Sequence, residues 1–334
     1  MMNSDVLNDL EIPTLEEIHA TRARIDPYIF RTPVWRWQSK ALEEALGPDT
    51  DVWLKLELFQ RTGTFKARGA VNDILQLDSA AMERGVTAVS AGNHAIAVAY
   101  AAQLFGIGAK VVMPSSAPQF RVEKSRSYGA EVVLVGDVYE GFAEVERIQQ
   151  EEGRAFVHPF DSRTIVTGQA TVGLEVCEDA PPLDMLIVPV GGGGLSAGIG
   201  SAVKQIQPDC AVFGVEPEGA DTMHRSLASG KLESIERVET IATSLGAPAT
   251  QAYSFGLCRH FLDDSALVSD EEMLDGMRLL FHEMKLAVEP ACAASTAALF
   301  GPLREQAKGK RVGLILCGSN IGVDTFVELI GQGD

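Results

Sequence analysis

The chain has 334 residues, of which 46% are apolar and 22% charged, and 28 Lys and Arg against 46 Asp and Glu give a formal net charge of −18 at pH 7. This composition is typical of a globular protein and excludes a disordered or collagen-like chain. The acidic excess argues against nucleic acid and anionic lipid as partners, because both carry negative charge. The sequence has no run of about 18 apolar residues, so it predicts no membrane span.

The N-terminal segment and the cysteines indicate a cellular compartment. Residues 1–10 have neither the basic start nor the apolar stretch of a signal peptide. The five cysteines are odd in number and show no paired spacing, which is typical of reduced thiols. We therefore expect a cytoplasmic protein.

Strand-like apolar runs alternate with amphipathic segments along most of the chain. The predicted strands are Asp51–Leu56, Thr87–Ser90, Lys110–Met113, Glu131–Val135, Met185–Val190, Ala211–Val215 and Val312–Leu316. The predicted helices are Lys66–Leu77, Asn93–Leu104, Val138–Glu152, Leu195–Gln207 and Asp270–Met284. This order predicts an α/β fold with mostly parallel sheets that helices cover on both faces.

The chain is predicted to form two domains. The most plausible crossings are Glu83–Gly85 and Phe160–Ser162. We expect a large domain built from residues 1–81 plus 161–334 and a small inserted αβ domain of residues 82–160. In open α/β sheets a ligand binds beyond the carboxyl ends of the strands, and four strand-to-helix turns carry unusual chemistry.

The first turn contains a lysine at the start of a predicted helix. Lys66 follows Phe65 and small residues, and a cation at this end opposes the helix dipole. A lowered pKa is what a Schiff-base lysine needs. The alternative is an ordinary solvated surface lysine.

The second turn, Ser90-Ala91-Gly92-Asn93-His94, precedes an alanine-rich helix. Small residues with hydroxyl and amide groups at a helix N-terminus form a pocket for a carboxylate. Ser90 or Asn93 could equally cap the helix. Both interpretations can hold together.

The third turn, Gly191-Gly192-Gly193-Gly194, lies between a predicted strand and a predicted helix. Glycines let the backbone present its N–H groups at a helix N-terminus, which favours a phosphate. The alternatives are a tight turn required only for packing, and a dinucleotide site in which Glu216 contacts a ribose. The glycine run alone does not separate these alternatives.

The fourth turn, Cys317-Gly318-Ser319-Asn320, ends the last predicted strand. Cys317 is either a small buried apolar residue or a group that contacts a ligand in the cleft.

In this order and at these separations, the four turns resemble the fold-type II pyridoxal-phosphate enzymes, especially the threonine/serine dehydratase and serine racemase group. The resemblance extends from about Leu15 to Phe326. It implies two parallel-sheet αβ domains like those of the tryptophan synthase β subunit. It also implies pyridoxal 5′-phosphate as cofactor. An aldehyde cofactor with a single phosphate would use all four turns.

The resemblance assigns roles to individual residues. It implies that Lys66 is the catalytic Schiff-base lysine, that Asn93 contacts the phenolic oxygen of the cofactor, and that Cys317 lies beside the pyridine nitrogen. The cofactor-binding residues it implies are Phe65, Lys66, Asn93, Gly191, Gly192, Gly193, Gly194, Glu289 and Cys317. The substrate-binding residues it implies are Ser90, Ala91, Gly92, Asn93 and His94.

The implied reaction is β-elimination from an L-3-hydroxy amino acid such as threonine or serine, giving a 2-oxo acid and ammonia. Racemases of the group carry a serine at the position of Ala91, and a methyl group cannot donate a proton, so we expect little racemisation. The alternatives are an amino-acid racemase, a dehydratase of a bulkier or acidic 3-hydroxy amino acid, and a non-catalytic cofactor-binding protein. The presence of Lys66 argues against the last.

A divalent cation and a homodimer also come from the resemblance. Members with a metal site use residues that match Glu216 and the Ala220 carbonyl, and oxygen ligands suit Mg²⁺ or Ca²⁺. Thr222 stands where a second carboxylate is expected, so one ligand is missing. We expect no regulatory domain after the catalytic unit, which favours a catabolic enzyme.

Overall fold

The computed structural model describes residues 10–331 and contains two β-sheets with helices packed around them. The interpretation of residues 1–10 as lacking a leader falls almost wholly outside the described residues. The outermost parts of the predicted large domain, residues 1–9 and 332–334, also lie outside them.

Ten strands are present among the described residues. They are β1 (Val34–Trp37), β2 (Asp51–Leu56), β3 (Val86–Val89), β4 (Ala109–Pro114), β5 (Glu131–Val135), β6 (Ala155–Phe156), β7 (Met185–Pro189), β8 (Ala211–Pro217), β9 (Asp264–Val268) and β10 (Arg311–Leu316). The larger sheet has the order β1-β2-β10-β7-β8-β9, and only β1 is antiparallel to its neighbour. The smaller sheet has the order β5-β4-β3-β6 and is entirely parallel.

Helices connect the strands and cover the sheets. They are α1 (Leu15–Ile25), α2 (Lys40–Leu46), α3 (Lys66–Ile74), α4 (Ser79–Arg84), α5 (Asn93–Leu104), α6 (Gln119–Ser127), α7 (Val138–Glu152), α8 (Arg163–Asp179), α9 (Gly194–Ile206), α10 (Thr222–Ser229), α11 (Ala252–Phe261), α12 (Asp270–Met284), α13 (Pro290–Phe300), α14 (Arg304–Ala307) and α15 (Val323–Ile330). Short 3₁₀ turns occur at Asp26–Tyr28, Glu57–Phe59, Arg61–Gly63, Glu218–Ala220 and Thr243–Leu245.

The larger sheet forms the main core. Every residue of β7 is buried, and both α9 and α13 pack on this strand. Burial on both faces explains why the strand is a continuous apolar run instead of an alternating one. The carboxyl ends of β7 and β10 therefore lead directly into the glycine turn and the Cys317 turn.

The predicted fold class is confirmed, since the structure has two parallel-sheet αβ units. The predictions missed β1, β6 and β9. β6 has only two residues, and β1 and β9 lie at the edges of the larger sheet, where partial exposure breaks up the apolar pattern. The predicted ends of the other strands are correct to within two residues.

The boundaries of the two domains stay a prediction. The smaller sheet uses residues 86–156, which lie within the predicted inserted segment 82–160. Its apolar core also takes Ala70, Val71 and Ile74 from α3. The helix that begins with Lys66 therefore packs against both parts of the molecule.

Candidate active site

Lys66 is the first residue of α3, as the sequence predicts. Its Nζ lies 2.5 Å from the carbonyl oxygen of Pro159 and 5.3 Å from the centre of the Phe65 ring. Burial lowers the pKa of Lys66 from 10.5 to about 8, with the nearby Cys317 acting in the opposite direction. An amine with this pKa is neutral often enough at physiological pH to attack an aldehyde.

The loop before Lys66 is bound to the turn after β10. The N–H of Phe65 donates to the carbonyl oxygen of Cys317 at 3.2 Å, and the N–H of Ser319 donates to that of Gly63 at 3.0 Å. Thr62 in the same loop has a positive φ of 66°, which is strained for a β-branched residue. The neighbouring turn therefore holds the start of α3 in one place.

The segment from Ser90 to His94 forms the turn between β3 and α5. The Ser90 hydroxyl accepts the Gly92 N–H at 3.0 Å, and α5 begins at Asn93 without a side-chain cap. The N-cap interpretation of Ser90 or Asn93 is therefore wrong. Half-buried Ala91 contributes only a methyl group to this turn.

The Asn93 side chain is buried and contacts the larger-sheet part of the molecule. Its Nδ2 donates to Glu289 Oε1 at 2.7 Å and to Ser244 Oγ at 3.2 Å. Its Oδ1 accepts from Asn320 Nδ2 at 2.8 Å, and the same nitrogen donates to the Thr62 carbonyl at 2.8 Å. Through Asn320, Asn93 is connected to the loop that precedes Lys66.

His94 is held by the protein itself. Its Nε2 lies 2.8 Å from the Val157 carbonyl oxygen. Burial, together with the nearby Lys66, lowers the pKa of His94 to about 3, so the ring is neutral at physiological pH. The side chain is 2% exposed, and its part in substrate binding stays a prediction.

The glycines after β7 form a cradle in which side chains have no room. A Cβ on Gly192 would overlap the ring of Phe160, and one on Gly194 would lie 2.6 Å from the Phe160 carbonyl oxygen. Gly193 has a φ of 91°, and a Cβ there would lie 2.6 Å from Met223 Cε. Because α9 begins at Gly194, the cradle lies at a helix N-terminus, which attracts an anion.

Cys317 directly follows β10 and is 3% exposed. A hydrogen bond with the Cys292 thiol, together with burial, raises the pKa of the Cys317 thiol well above its ordinary value, and the charge of Glu289 acts in the same direction. The thiol is therefore neutral at physiological pH. Such a group does not hold a neighbouring pyridine nitrogen in its protonated form.

Sequence reasoning did not find every residue of the site. It missed Arg121, whose guanidinium reaches Glu289, and Ser244, which donates to Glu289 at 2.9 Å. It also missed the Pro159 carbonyl that contacts Lys66. Neither Arg121 nor Ser244 belongs to a recognisable motif, and a backbone carbonyl leaves no trace in a sequence.

Metal binding by Glu216 and the Ala220 carbonyl stays a prediction, but the structure shows what the Glu216 carboxylate contacts. The two carboxylate oxygens of Glu216 accept the N–H groups of Met223 at 3.0 Å and His224 at 2.6 Å, so they cap α10. Burial raises the pKa of Glu216 to about 8, although these two amides act against it. No group of three or more metal-ligating side chains occurs within residues 10–331. Both oxygens of Glu216 thus already accept backbone N–H groups, and this arrangement gives a divalent cation no support.

The geometry defines a class of protein. A lysine with a lowered pKa, a glycine cradle suited to one phosphate and a neutral thiol at the end of a neighbouring strand fit an enzyme that uses a phosphorylated aldehyde cofactor. The chain belongs to the family of pyridoxal-phosphate dependent enzymes, which it matches over residues 25–318.

Three similar proteins illustrate the range of the family. Phenylserine dehydratase from Ralstonia pickettii is 50% identical over 327 residues, covering 98% of this chain and 99% of that protein. L-threonine ammonia-lyase from Thermotoga maritima is 38% identical over 321 residues, covering 96% of this chain and 79% of that protein. The solved structure of maize serine racemase has a TM-score of 0.90 at 35% identity and covers 96% of this chain and 98% of that one. The predicted family, fold and cofactor are thus confirmed.

Hydropathy of the helices adds one finding. Within the described part of the chain, none of the helices is both long and apolar enough to cross a bilayer.

Proposed function

We propose that the protein catalyses the pyridoxal-phosphate-dependent β-elimination of an L-3-hydroxy amino acid. The substrate loses its Cα proton and its β-hydroxyl as water, and the resulting enamine tautomerises and takes up water to give a 2-oxo acid and ammonia. The observation that carries this proposal is the lowered pKa of the Lys66 amine, whose Nζ contacts the Pro159 carbonyl oxygen and lies near Cys317.

The bound cofactor supplies an electron sink for the electrons left at Cα. With the cofactor bound, Lys66 Nζ would accept the Cα proton of the substrate, and its lowered pKa suits a general base near neutral pH. The backbone of the turn from Ser90 to His94 binds the substrate carboxylate at the start of α5. The amide of Asn93 and the glycine cradle orient the cofactor.

Cys317 favours elimination over other outcomes. A neutral thiol leaves the pyridine nitrogen without a counter-charge, which weakens the electron sink. When the β-hydroxyl leaves, the electrons at Cα form the new double bond at once, so this reaction does not need a strong electron sink. Transamination requires a longer-lived carbanion.

Ala91 argues against a racemase. Racemisation requires a proton donor on the face of the substrate opposite Lys66, and the Ala91 methyl group cannot donate one. The ring nitrogen Nε2 of His94, next to the turn, is occupied by the Val157 carbonyl oxygen.

The site favours a substrate with an aromatic side chain. The Phe160 ring lies against Gly192 and packs edge-on against His158 at 4.9 Å, and the Phe65 ring lies 5.3 Å from Lys66 Nζ. These rings give the surroundings of Lys66 an apolar and aromatic character. The 50% identity with a phenylserine dehydratase supports the same choice. Among 3-hydroxy amino acids, we therefore propose a phenylserine-type substrate over threonine or serine.

A substrate panel tests the function. Purified enzyme with pyridoxal phosphate is assayed for 2-oxo acid and ammonia with L-phenylserine, L-threonine, L-serine and L-3-hydroxyaspartate. We expect the largest kcat/KM with phenylserine and no turnover in Lys66→Ala, while Lys40→Ala at an exposed position behaves as wild type. Turnover in Lys66→Ala equal to wild type, or no oxo acid from any of the four substrates, would refute the proposal.

The cellular setting is part of the proposal. The odd number of cysteines and their lack of paired spacing support a cytoplasmic location. The family resemblance supports a homodimer. Size-exclusion chromatography with light scattering measures the oligomeric state directly.

A further inference from the structure

Arg121 brings a positive charge from α6 into the site. Its Nη2 donates to Glu289 Oε2 at 2.9 Å and to the Asn320 carbonyl oxygen at 2.9 Å. Arg121 is 5% exposed and Glu289 1% exposed, so the pair is shielded from water. A Cβ on Gly92 would lie 2.6 Å from Arg121 Nη1, which places the guanidinium directly against the turn proposed to bind the substrate carboxylate.

Glu289 is surrounded by donors. It accepts from Arg121 Nη2, from Ser244 Oγ at 2.9 Å and from Asn93 Nδ2 at 2.7 Å. An ionised carboxylate can accept from all three donors at once. Burial raises the pKa of Glu289 above its ordinary value, although Arg121, Ser244 and Asn93 act in the opposite direction. The other titratable group facing it is the Cys317 thiol, which is neutral.

The ionised state of Glu289 sets which way the Asn93 amide points. Asn93 Nδ2 donates to Glu289, and Asn93 Oδ1 accepts from Asn320. A protonated Glu289 would itself donate an O–H. The Asn93 amide would then be more stable with its oxygen turned towards Glu289, where it could accept this hydrogen bond. The charge on Glu289 therefore keeps the NH₂ group of Asn93 on the side of Glu289 and Ser244.

We propose that Arg121 is a positioning residue: by pairing with Glu289 it keeps the carboxylate ionised and thereby fixes the orientation of the Asn93 amide towards the cofactor. This inference rests on the proposed contact between Asn93 and the cofactor. It gives Arg121 a role that acts through two other side chains, without contact with the reacting atoms.

Arg121→Met tests the role through cofactor binding. Without the guanidinium, the pKa of Glu289 rises further because a group that lowers it is gone, so Glu289 takes up a proton more readily and Asn93 loses its fixed orientation. Loss of one well-oriented hydrogen bond to the cofactor corresponds to about a tenfold rise in the dissociation constant of pyridoxal phosphate. The affinity of the variant, measured relative to wild type at the same pH, should recover as the pH rises and Glu289 ionises, because any rise from deprotonation of Lys66 is common to both proteins. Arg121→Lys keeps the charge and should show most of the wild-type affinity.

The controls separate positioning from folding. Arg147→Met removes an exposed arginine from α7 and should leave cofactor affinity unchanged. If Arg121→Met does not fold, the double variant Arg121→Met/Glu289→Gln, which buries no unpaired charge, should fold and bind the cofactor as weakly as Glu289→Gln alone, because Arg121 acts only through that carboxylate. Wild-type affinity and an unaltered pH profile in whichever of these variants folds would overturn the inference. Failure of the proposed reaction is seen separately, because cofactor affinity is measured without any amino-acid substrate.

Discussion

The backbone N–H of Phe65 donates to the carbonyl oxygen of Cys317 at 3.2 Å, and this bond joins the residue before the candidate catalytic lysine to the end of β10. The main chain therefore sets the spacing between Lys66 and Cys317. A substitution of Cys317 can change the chemistry of its side chain without moving the attachment of Lys66.

Cys317→Asp should alter the electronic state of the bound cofactor. A carboxylate beside the pyridine nitrogen would hold that nitrogen protonated and strengthen the electron sink. We expect a new long-wavelength absorption band when substrate is added, with a lower fraction of substrate converted to oxo acid. Cys317→Ser keeps a neutral group and should show neither change. An Asp variant whose spectrum and product ratio match the wild type would contradict the assignment of Cys317.

The lowered pKa of Lys66 predicts how the apoenzyme captures its cofactor. Only the neutral amine attacks the aldehyde, and burial lowers the pKa of Lys66 from 10.5 to about 8. The second-order rate of cofactor capture should therefore rise with pH and level off above about pH 8. Stopped-flow absorbance measures this rate. A rate that keeps rising to pH 10, as for an exposed lysine with a pKa of about 10.4, would show that the surroundings of Lys66 do not lower its pKa.

Gly193→Ala should weaken cofactor binding. Gly193 has a φ of 91°, and a Cβ there meets Met223, so the cradle must deform. The strain of about 1–2 kcal/mol corresponds to a rise of roughly tenfold in the dissociation constant of pyridoxal phosphate. Gly230→Ala is the matched control, because Gly230 has a φ of 71° but open space around it. It should lower the thermal stability and leave cofactor affinity unchanged. Equal cofactor affinities in the two variants would argue against a phosphate cradle at Gly193.

The charged cluster behind α3 predicts a stability effect. Arg68 is fully buried, and its guanidinium donates to Glu57 at 2.7 Å and to Glu175 at 2.7 Å. Arg68→Met leaves these carboxylates with too little positive charge and should cost about 3–5 kcal/mol of unfolding free energy. Arg147→Met, at an exposed position, should change it by less than about 0.5 kcal/mol. Denaturant titration checks both values.

The same charged cluster predicts how the stability of the protein changes with pH. Although burial raises the pKa of Glu175, Arg68 and Lys55 lower it from 4.5 to about 2. A lowered carboxyl pKa gives stability that is present above pH 4.5 and is lost as the pH falls towards 2. The deficit of Arg68→Met relative to wild type should therefore be largest at neutral pH and shrink below about pH 4.5. A deficit that does not change with pH would mean that Arg68 contributes packing alone.

Those parts of the candidate site whose residues lie together in a short segment could be predicted from the sequence alone. The four glycines, Lys66 at a helix start and the turn from Ser90 to His94 each combine backbone and side-chain requirements within a few residues, so they are visible without a structure. In the structure, the Asn93 side chain reaches Glu289 and Asn320, which belong to the larger-sheet part.

Contacts between distant segments could not be predicted. Arg121 and Glu289 are 168 residues apart, and their ion pair depends on how α6 packs against the larger-sheet part. An isolated arginine on a short helix most often lies on a solvated face, so its residue type gave no signal. The use of Glu216 as a helix cap was hidden for the same reason, because a Glu-Pro segment looks alike whether its carboxylate binds a cation or two backbone amides.

Ala91→Ser should add a racemase side activity. The proposed β-elimination requires a base on one face of the substrate only, and we propose Lys66 as that base. A serine hydroxyl in place of the Ala91 methyl group would put a proton donor in the turn that faces the opposite side. We expect D-amino acid to appear from an L-substrate in the variant, while oxo acid release falls, and chiral chromatography of timed reactions measures both products. Ala91→Gly adds no donor and should form as little D-isomer as the wild type. Since the Lys66 face alone can return the proton when residue 91 lacks a donor, D-product accumulating in the wild type as fast as oxo acid would refute both this prediction and the assignment of the protein as a lyase.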